Sequence, residues 1–223
     1  MSTSIEQKSR PDITVRGNGY DYPEKEAPVQ HPISKLAKSR WSTRAFDESR
    51  IVEPEKILCL LEAARWAPSC YNEQPWHYLV FDGADREALE KARACLNEFN
   101  AWARKAPVLM LSVARERFTK NRMPNKHAQH DLGLASGSLV LEAVNQGLAL
   151  HQMAGFDCER ARREFAIPED FTPVAMIAIG YPYTGDLNHL PAQLREMELQ
   201  PRQRKPIREI AFSGRWSVPF IRL

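Results

Sequence analysis

Apolar positions recur along this chain in two rhythms. In "VEPEKILCLLEAARWA" (52–67), Ile57, Leu60, Leu61 and Ala64 fall at i, i+3, i+4 and i+7, which predicts a helix with one buried face. Pro54 suits its first turn, Glu55 its acid-favouring start, and Pro68 its end. Leu132, Ala135, Leu139 and Ala143 draw a second stripe through "HAQHDLGLASGSLVLEAVNQG" (127–147), a long helix. Gly133 and Gly137 sit inside it, and a helical glycine costs about 1 kcal/mol against alanine. With Ser136 and Ser138 they let another backbone come close, so a central or interface helix is expected. Asp85 is placed to cap a helix carrying Ala88, Leu89, Ala92, Cys95, Leu96 and Phe99. Asp157 is placed to cap a shorter one within 156–167, and "HPISKLAKSR" (31–40) reads as a short helix with Pro32 near its start.

The second rhythm is that of strands. "WHYLVFD" (76–82) is aromatic and β-branched, and "PVLMLSVA" (107–114) and "TPVAMIAIGYP" (172–182) are nearly continuous apolar runs, as in strands covered on both faces. Residues 115–126 form a polar, charged connection. The last forty residues are proline-rich and basic, and read as an extended C-terminal tail with one short strand at "REIAF" (208–212). Residues 1–30 read as a polar N-terminal extension to a domain spanning 31–223. The order of elements predicts an α+β fold with helices packed on a sheet.

Composition narrows the classes without naming one. The 223 residues are 43% hydrophobic and 26% charged, ordinary for a soluble domain with a sizeable core. A net charge of +3 does not point to a nucleic-acid binder. No apolar run reaches the ~20 residues of a membrane span, and the N-terminus lacks a secretory apolar region. The four cysteines are widely spaced with no CxxC, which suggests packed thiols in a reduced, cytoplasmic protein. No GxGxxG follows a strand, no P-loop is present, and "GLASGSL" lies within a helix. His127 and His130 share a helical face without a carboxylate or cysteine cluster joining them, so no metal site is expected.

Three polar segments stand apart from the apolar elements. In "SRWSTRAF" (39–46), Arg40 and Arg44 with Ser42 between them offer the donors of an anion site. "PSCYNEQPW" (68–76) is a stiff polar loop where core packing needs neither asparagine nor glutamine. "RQRKPIRE" (202–209) adds Arg202, Arg204, Lys205 and Arg208, which either close on the same anion or form a solvated surface.

Together, "SRWSTRAFD…LLEAARWAPSCYNEQPWHYLVF" resembles the nitroreductase family of flavin enzymes. The match is dense over 36–81 and continues through the helix at 127–147, "GLALHQMAGFD" (147–157) and "RQRKP" (202–206). The resemblance implies a mostly antiparallel sheet flanked by helices, FMN as cofactor, and NADH or NADPH as electron donor. It implies a homodimer with FMN at the subunit interface and a small-molecule acceptor such as a nitroaromatic or quinone. It lays Arg40, Trp41, Ser42 and Arg44 on phosphate, ribityl and ring-edge contacts, and Ser69, Cys70, Asn72 and Gln74 on the loop beside the flavin. It lays Gln152, Met153, Ala154 and Gly155 on the turn near flavin N5, where backbone N–H groups matter most, and Arg202 and Arg204 on the phosphate. No catalytic side chain is implied, because the flavin carries the chemistry. Relatives of the fold also perform reductive dehalogenation or flavin fragmentation, and a flavin-binding sensor without turnover is a further reading. Ala154, Trp41 and Cys70 depart from the commoner family residues and bear on the substrate pocket.

Overall fold

The computed structural model describes residues 25–220, so most of the expected N-terminal extension lies outside the described residues. Among these residues four strands form one antiparallel sheet: β1 (Trp76–Phe81), β2 (Val108–Arg115), β3 (Ala149–Met153) and β4 (Phe171–Gly180), in the order β1-β2-β4-β3. Among the described residues six α-helices accompany them: α1 (Lys35–Ser39), α2 (Pro54–Arg65), α3 (Arg86–Cys95), α4 (Ala128–Asn145), α5 (Cys158–Glu164) and α6 (Ala192–Leu199). This is the expected α+β architecture. Among the described residues no helix is long and apolar enough to cross a membrane.

The apolar runs are continuous because the central strands are covered on both sides. Val108 and Met110 of β2 pack with Ile57 and Leu60 of α2 and Ala135 and Leu139 of α4. Leu109, Leu111 and Val113 pack on the opposite face with Leu89 and Ala92 of α3 and with Trp102. Alternate residues of one strand thus serve two cores.

Several boundaries differ from the sequence reading. Helix α3 ends at Cys95; Leu96 turns extended and bridges Phe156, while Phe99 is left exposed on a 3-10 segment (Glu98–Lys105). Burying Leu96 against the next layer outweighs another helical turn. Helix α1 starts at Lys35, where the Ser34 hydroxyl accepts the Ala37 N–H, leaving Pro32 outside it. In the tail no strand forms at 208–212: Ile207–Glu209 is a single 3-10 turn, and Phe212 bridges Pro219. Helix α6 lies within the stretch expected to be extended, and β3 runs through a stretch given no strand, its last two residues being Gln152 and Met153 of the expected turn.

Strand β3 is tied across to the segment after α1 by one histidine. The His151 ring lies 4.7 Å from Trp102, and its Nδ1–H donates to the Thr43 carbonyl at 2.9 Å. Burial first, then the positive Arg44 and Arg40, push its pKa down to about 4, against the Thr43 hydrogen bond that raises it. In the unfolded chain this imidazole takes its proton near its ordinary 6.5. Its contribution is therefore full above that pH and is lost as pH falls toward about 4. Urea denaturation should show about 3 kcal/mol less stability from this group across that window. His151→Gln should lack that part of the pH dependence, and identical slopes for both proteins would refute the assignment.

Candidate functional site

The segment 40–46 is shaped by a buried carboxylate from the tail. Glu198 of α6 is fully buried; it accepts the Thr43 hydroxyl, and its two oxygens accept the Arg44 N–H at 3.2 and 3.1 Å. Thr43 is itself fully buried and its oxygen accepts the Ala45 N–H at 3.0 Å. A buried carboxylate needs such donors, because leaving it unpaired costs several kcal/mol. The tail is thereby locked to the 40–46 segment, and the basic residues that follow α6 come near Arg40, which precedes Thr43.

Arg40, Ser42 and Arg202 lie along this junction, and the exposed Arg204, whose Nη1 donates to the Gln203 carbonyl at 2.7 Å, acts on Arg40 and Arg202 through its charge. Arg40 Nη1 donates to Ser42 Oγ at 3.3 Å. Arg202 Nη1 donates to the carbonyls of Lys25 and Lys38, each at 2.8 Å. Burial and then the nearby Arg204 hold Arg40 below the ordinary guanidinium range; burial, then Arg40 and Arg204, do the same for Arg202. Three guanidinium groups press on one another, a repulsive arrangement that an anion would relieve. Trp41 is turned to the N-terminal side, its ring centroid 5.1 Å from Lys25 Nζ. Lys205 and Arg208, from the same basic run, are exposed.

Arg44 points elsewhere. Its guanidinium stands 5.9 Å from the Trp102 ring and lines a cavity of about 370 Å³ with Phe99, Leu190, Leu194 and Met197. The buried Trp102 indole N–H has no hydrogen-bond partner. Glu98 and Lys105 also line the cavity, so its apolar walls carry charges of both signs beside Arg44.

The loop 69–74 is strained and held from outside. Tyr71, Asn72 and Gln74 have φ of 53°, 54° and 52°, the left-handed region that non-glycine residues enter at a cost. Asp131 of α4, only 2% exposed, accepts the Cys70 N–H at 2.9 Å. Ser69 Oγ accepts the Gln74 N–H at 3.0 Å, and Glu73 accepts the Thr119 N–H at 2.6 Å. These contacts run to α4 and to the 115–126 connection. Asn72 and Gln74 remain exposed, with Cys70 half-buried as a free thiol.

Gln152 and Met153 close β3, and Ala154 and Gly155 make the turn after it. Met153 faces the core, so its side chain is withdrawn from the surface that Gln152 and Ala154 present. The Gly155 carbonyl accepts the Asn97 N–H at 3.3 Å and the Asn100 side-chain amide at 2.9 Å. A Cβ on Gly155 would lie 2.6 Å from both asparagine amide nitrogens, so a larger residue would have to displace these side chains.

The single chain thus brings Arg40, Ser42 and Arg202 to one junction with Arg204 nearby, sets Arg44 at the cavity, and carries the loop on α4. Sequence reasoning missed Glu198, His151, Asn97 and Asn100. Their roles arise from partners far along the chain, and only the glutamate carried a hint, as an acid in a helix that must bury one face. Among the described residues no group of histidine, cysteine, aspartate and glutamate could hold a metal ion; His130 instead pairs with Asp131 at 3.1 Å.

Residues 37–181 match the nitroreductase family. An uncharacterized 15.4 kDa protein of Mycolicibacterium smegmatis is 35% identical over 138 residues, 62% of this chain and 90% of the relative. A protein of Thermus thermophilus named NADH dehydrogenase is 32% identical over 177 residues, 66% of this chain and 84% of its own. A crystal structure described as an oxidoreductase containing FMN superposes with a TM-score of 0.79 at 34% identity, covering 85% of this chain and 96% of that one. With the family pattern running from α1 to the end of β4 and the fold matched over most of its length, this chain belongs to the nitroreductase family.

Proposed function

We propose that the chain binds FMN and uses NADH or NADPH to reduce nitroaromatic, quinone or similar electron-poor small molecules, donor and acceptor taking turns at one site. The observation that carries this reading is the convergence of Arg40, Ser42, Arg202 and Arg204. A phosphate monoester fits it: planar guanidinium forks match phosphate oxygens, a hydroxyl adds a donor, and the dianion offsets the crowded positive charge. Family membership and the FMN in a similar structure support the same cofactor.

Bound there, FMN would supply the redox chemistry between nicotinamide and acceptor, while the chain's own residues hold and orient it. Arg44 provides a positive charge that favours negative charge on a ring edge beside it. Ser69, Asn72 and Gln74 offer polar contacts from a loop that Asp131 holds in shape, with Cys70 beside them. Gln152 and the Ala154–Gly155 main chain offer contacts from a turn clamped by Asn97 and Asn100, while Trp41 borders the phosphate end.

A homodimer with the cofactor at its interface suits the outer face of α2 and α4. A Cβ on Gly133 or Gly137 would meet nothing within 4 Å in this chain. Leu134, Leu141 and Trp66 are exposed on the same helical layer. The four free thiols suit a reducing cytoplasm.

The purified protein should be yellow, with flavin absorbance, and should oxidise NADH or NADPH when offered nitroaromatics, quinones or halogenated phenols. Arg40→Ala should weaken FMN binding about tenfold to a hundredfold, read by flavin fluorescence, as expected for losing a charge-assisted hydrogen bond. A colourless protein that neither binds FMN nor oxidises either nicotinamide would overturn the reading. Gly137→Arg tests the interface separately. It gains helix propensity, by about 1 kcal/mol against glycine, and meets no atom of its own chain. The variant should stay helical by circular dichroism yet sediment as a monomer; an unchanged dimer removes this face of α4 from the interface.

A further inference from the structure

Residues 25–27 lie outside the family match, yet they are built into the arginine cluster. Lys25 is buried, and its ammonium donates to the Gln200 carbonyl at 2.7 Å while standing 5.1 Å from the Trp41 ring centroid. Its own carbonyl accepts Arg202 Nη1 at 2.8 Å. Two positions on, the Ala27 N–H donates to the Lys38 carbonyl at 2.9 Å, and Glu26 pairs with the Lys38 ammonium at 2.6 Å. The Lys38 carbonyl in turn accepts Arg202. This short strap therefore bridges the end of α1 and the tail after α6, the two stretches that carry Arg40 and Arg202.

The chemistry of Lys25 is that of a clasp. Burial disfavours its charge, the Glu198 carboxylate favours it, and Arg202 opposes it. A buried ammonium beside an arginine has no packing advantage over a methionine of similar length. Its gain lies in what it fixes: the Gln200 carbonyl, two residues before Arg202, and the indole next to Arg40. We infer that Lys25 is a positioning residue for the phosphate end of the cofactor site, so that the N-terminal strap sets how firmly the protein holds FMN over flavins that lack a phosphate. This rests on the FMN reading above.

The test uses full-length protein stripped of flavin and titrated with FMN and, separately, with riboflavin, following flavin fluorescence. In wild type, FMN should bind more tightly than riboflavin. Lys25→Met should raise the FMN dissociation constant about tenfold and leave riboflavin within about twofold, the loss expected for one misplaced charge-assisted contact. Lys25→Arg, which keeps charge and donors, should stay close to wild type. An unchanged FMN constant in Lys25→Met overturns the inference, as does an equal loss for both flavins, which marks a general structural defect. Wild-type protein that binds neither flavin overturns the proposed function, and the inference with it.

Discussion

The buried carboxylate of Glu198 is the constraint on which the rest of the site depends. It has no exposure, and its two oxygens take the Thr43 hydroxyl and the Arg44 N–H. A charge in that position is tolerable only while its donors stay in place. The donors sit before β1 and the acceptor after β4, so one interaction joins chain segments separated by the whole sheet. Arg202 and Arg204 follow α6 directly, and they reach Arg40 because Glu198 fixes where α6 ends. The positive cluster is thus a product of the acid behind it.

The elements legible in the sequence were those whose pattern is local. Ile57, Leu60 and Ala64 in α2, and Leu132, Ala135, Leu139 and Ala143 in α4, are buried as their spacing required. The continuous apolar runs of β2 and β4 became the central strands, covered from both sides. What escaped was local pattern too short or too mixed to speak. Strand β3 has five residues, two of them His151 and Gln152, and gains its identity from pairing with β4. Helix α6 has good helix formers but sits among prolines, with a buried acid where an apolar residue was to be expected. Leu96 left the α3 helix because Phe156 offered a partner that helical periodicity could not reveal.

The site divides in the same way. Arg40 and Ser42 suggested an anion site by their donors alone, whereas Arg202 and Arg204 read equally as solvated surface until the family resemblance laid them on the same phosphate. Arg44 was chosen as well, but its setting over Trp102 was not legible, since the tryptophan arrives from the far side of α3. Asn97 and Asn100 looked like loop residues; only contact with the Gly155 carbonyl gives them work. Met153 was read with its neighbours at the turn, yet strand alternation sends its side chain into the core.

The left-handed backbone at Tyr71, Asn72 and Gln74 bears on how such a protein can be improved. Tyr71 and Gln74 hold this region at a cost of about 1 kcal/mol, which a glycine would lower only in part because it is freer in the unfolded chain, while Asn72 tolerates it better. The loop is therefore a reserve of unclaimed thermal stability beside the proposed cofactor contacts. Selection for heat resistance alone would be drawn to relax it, and the polar side chains it now presents would be the first to lose their aim. In this chain the trade-off between robustness and activity has a definite address.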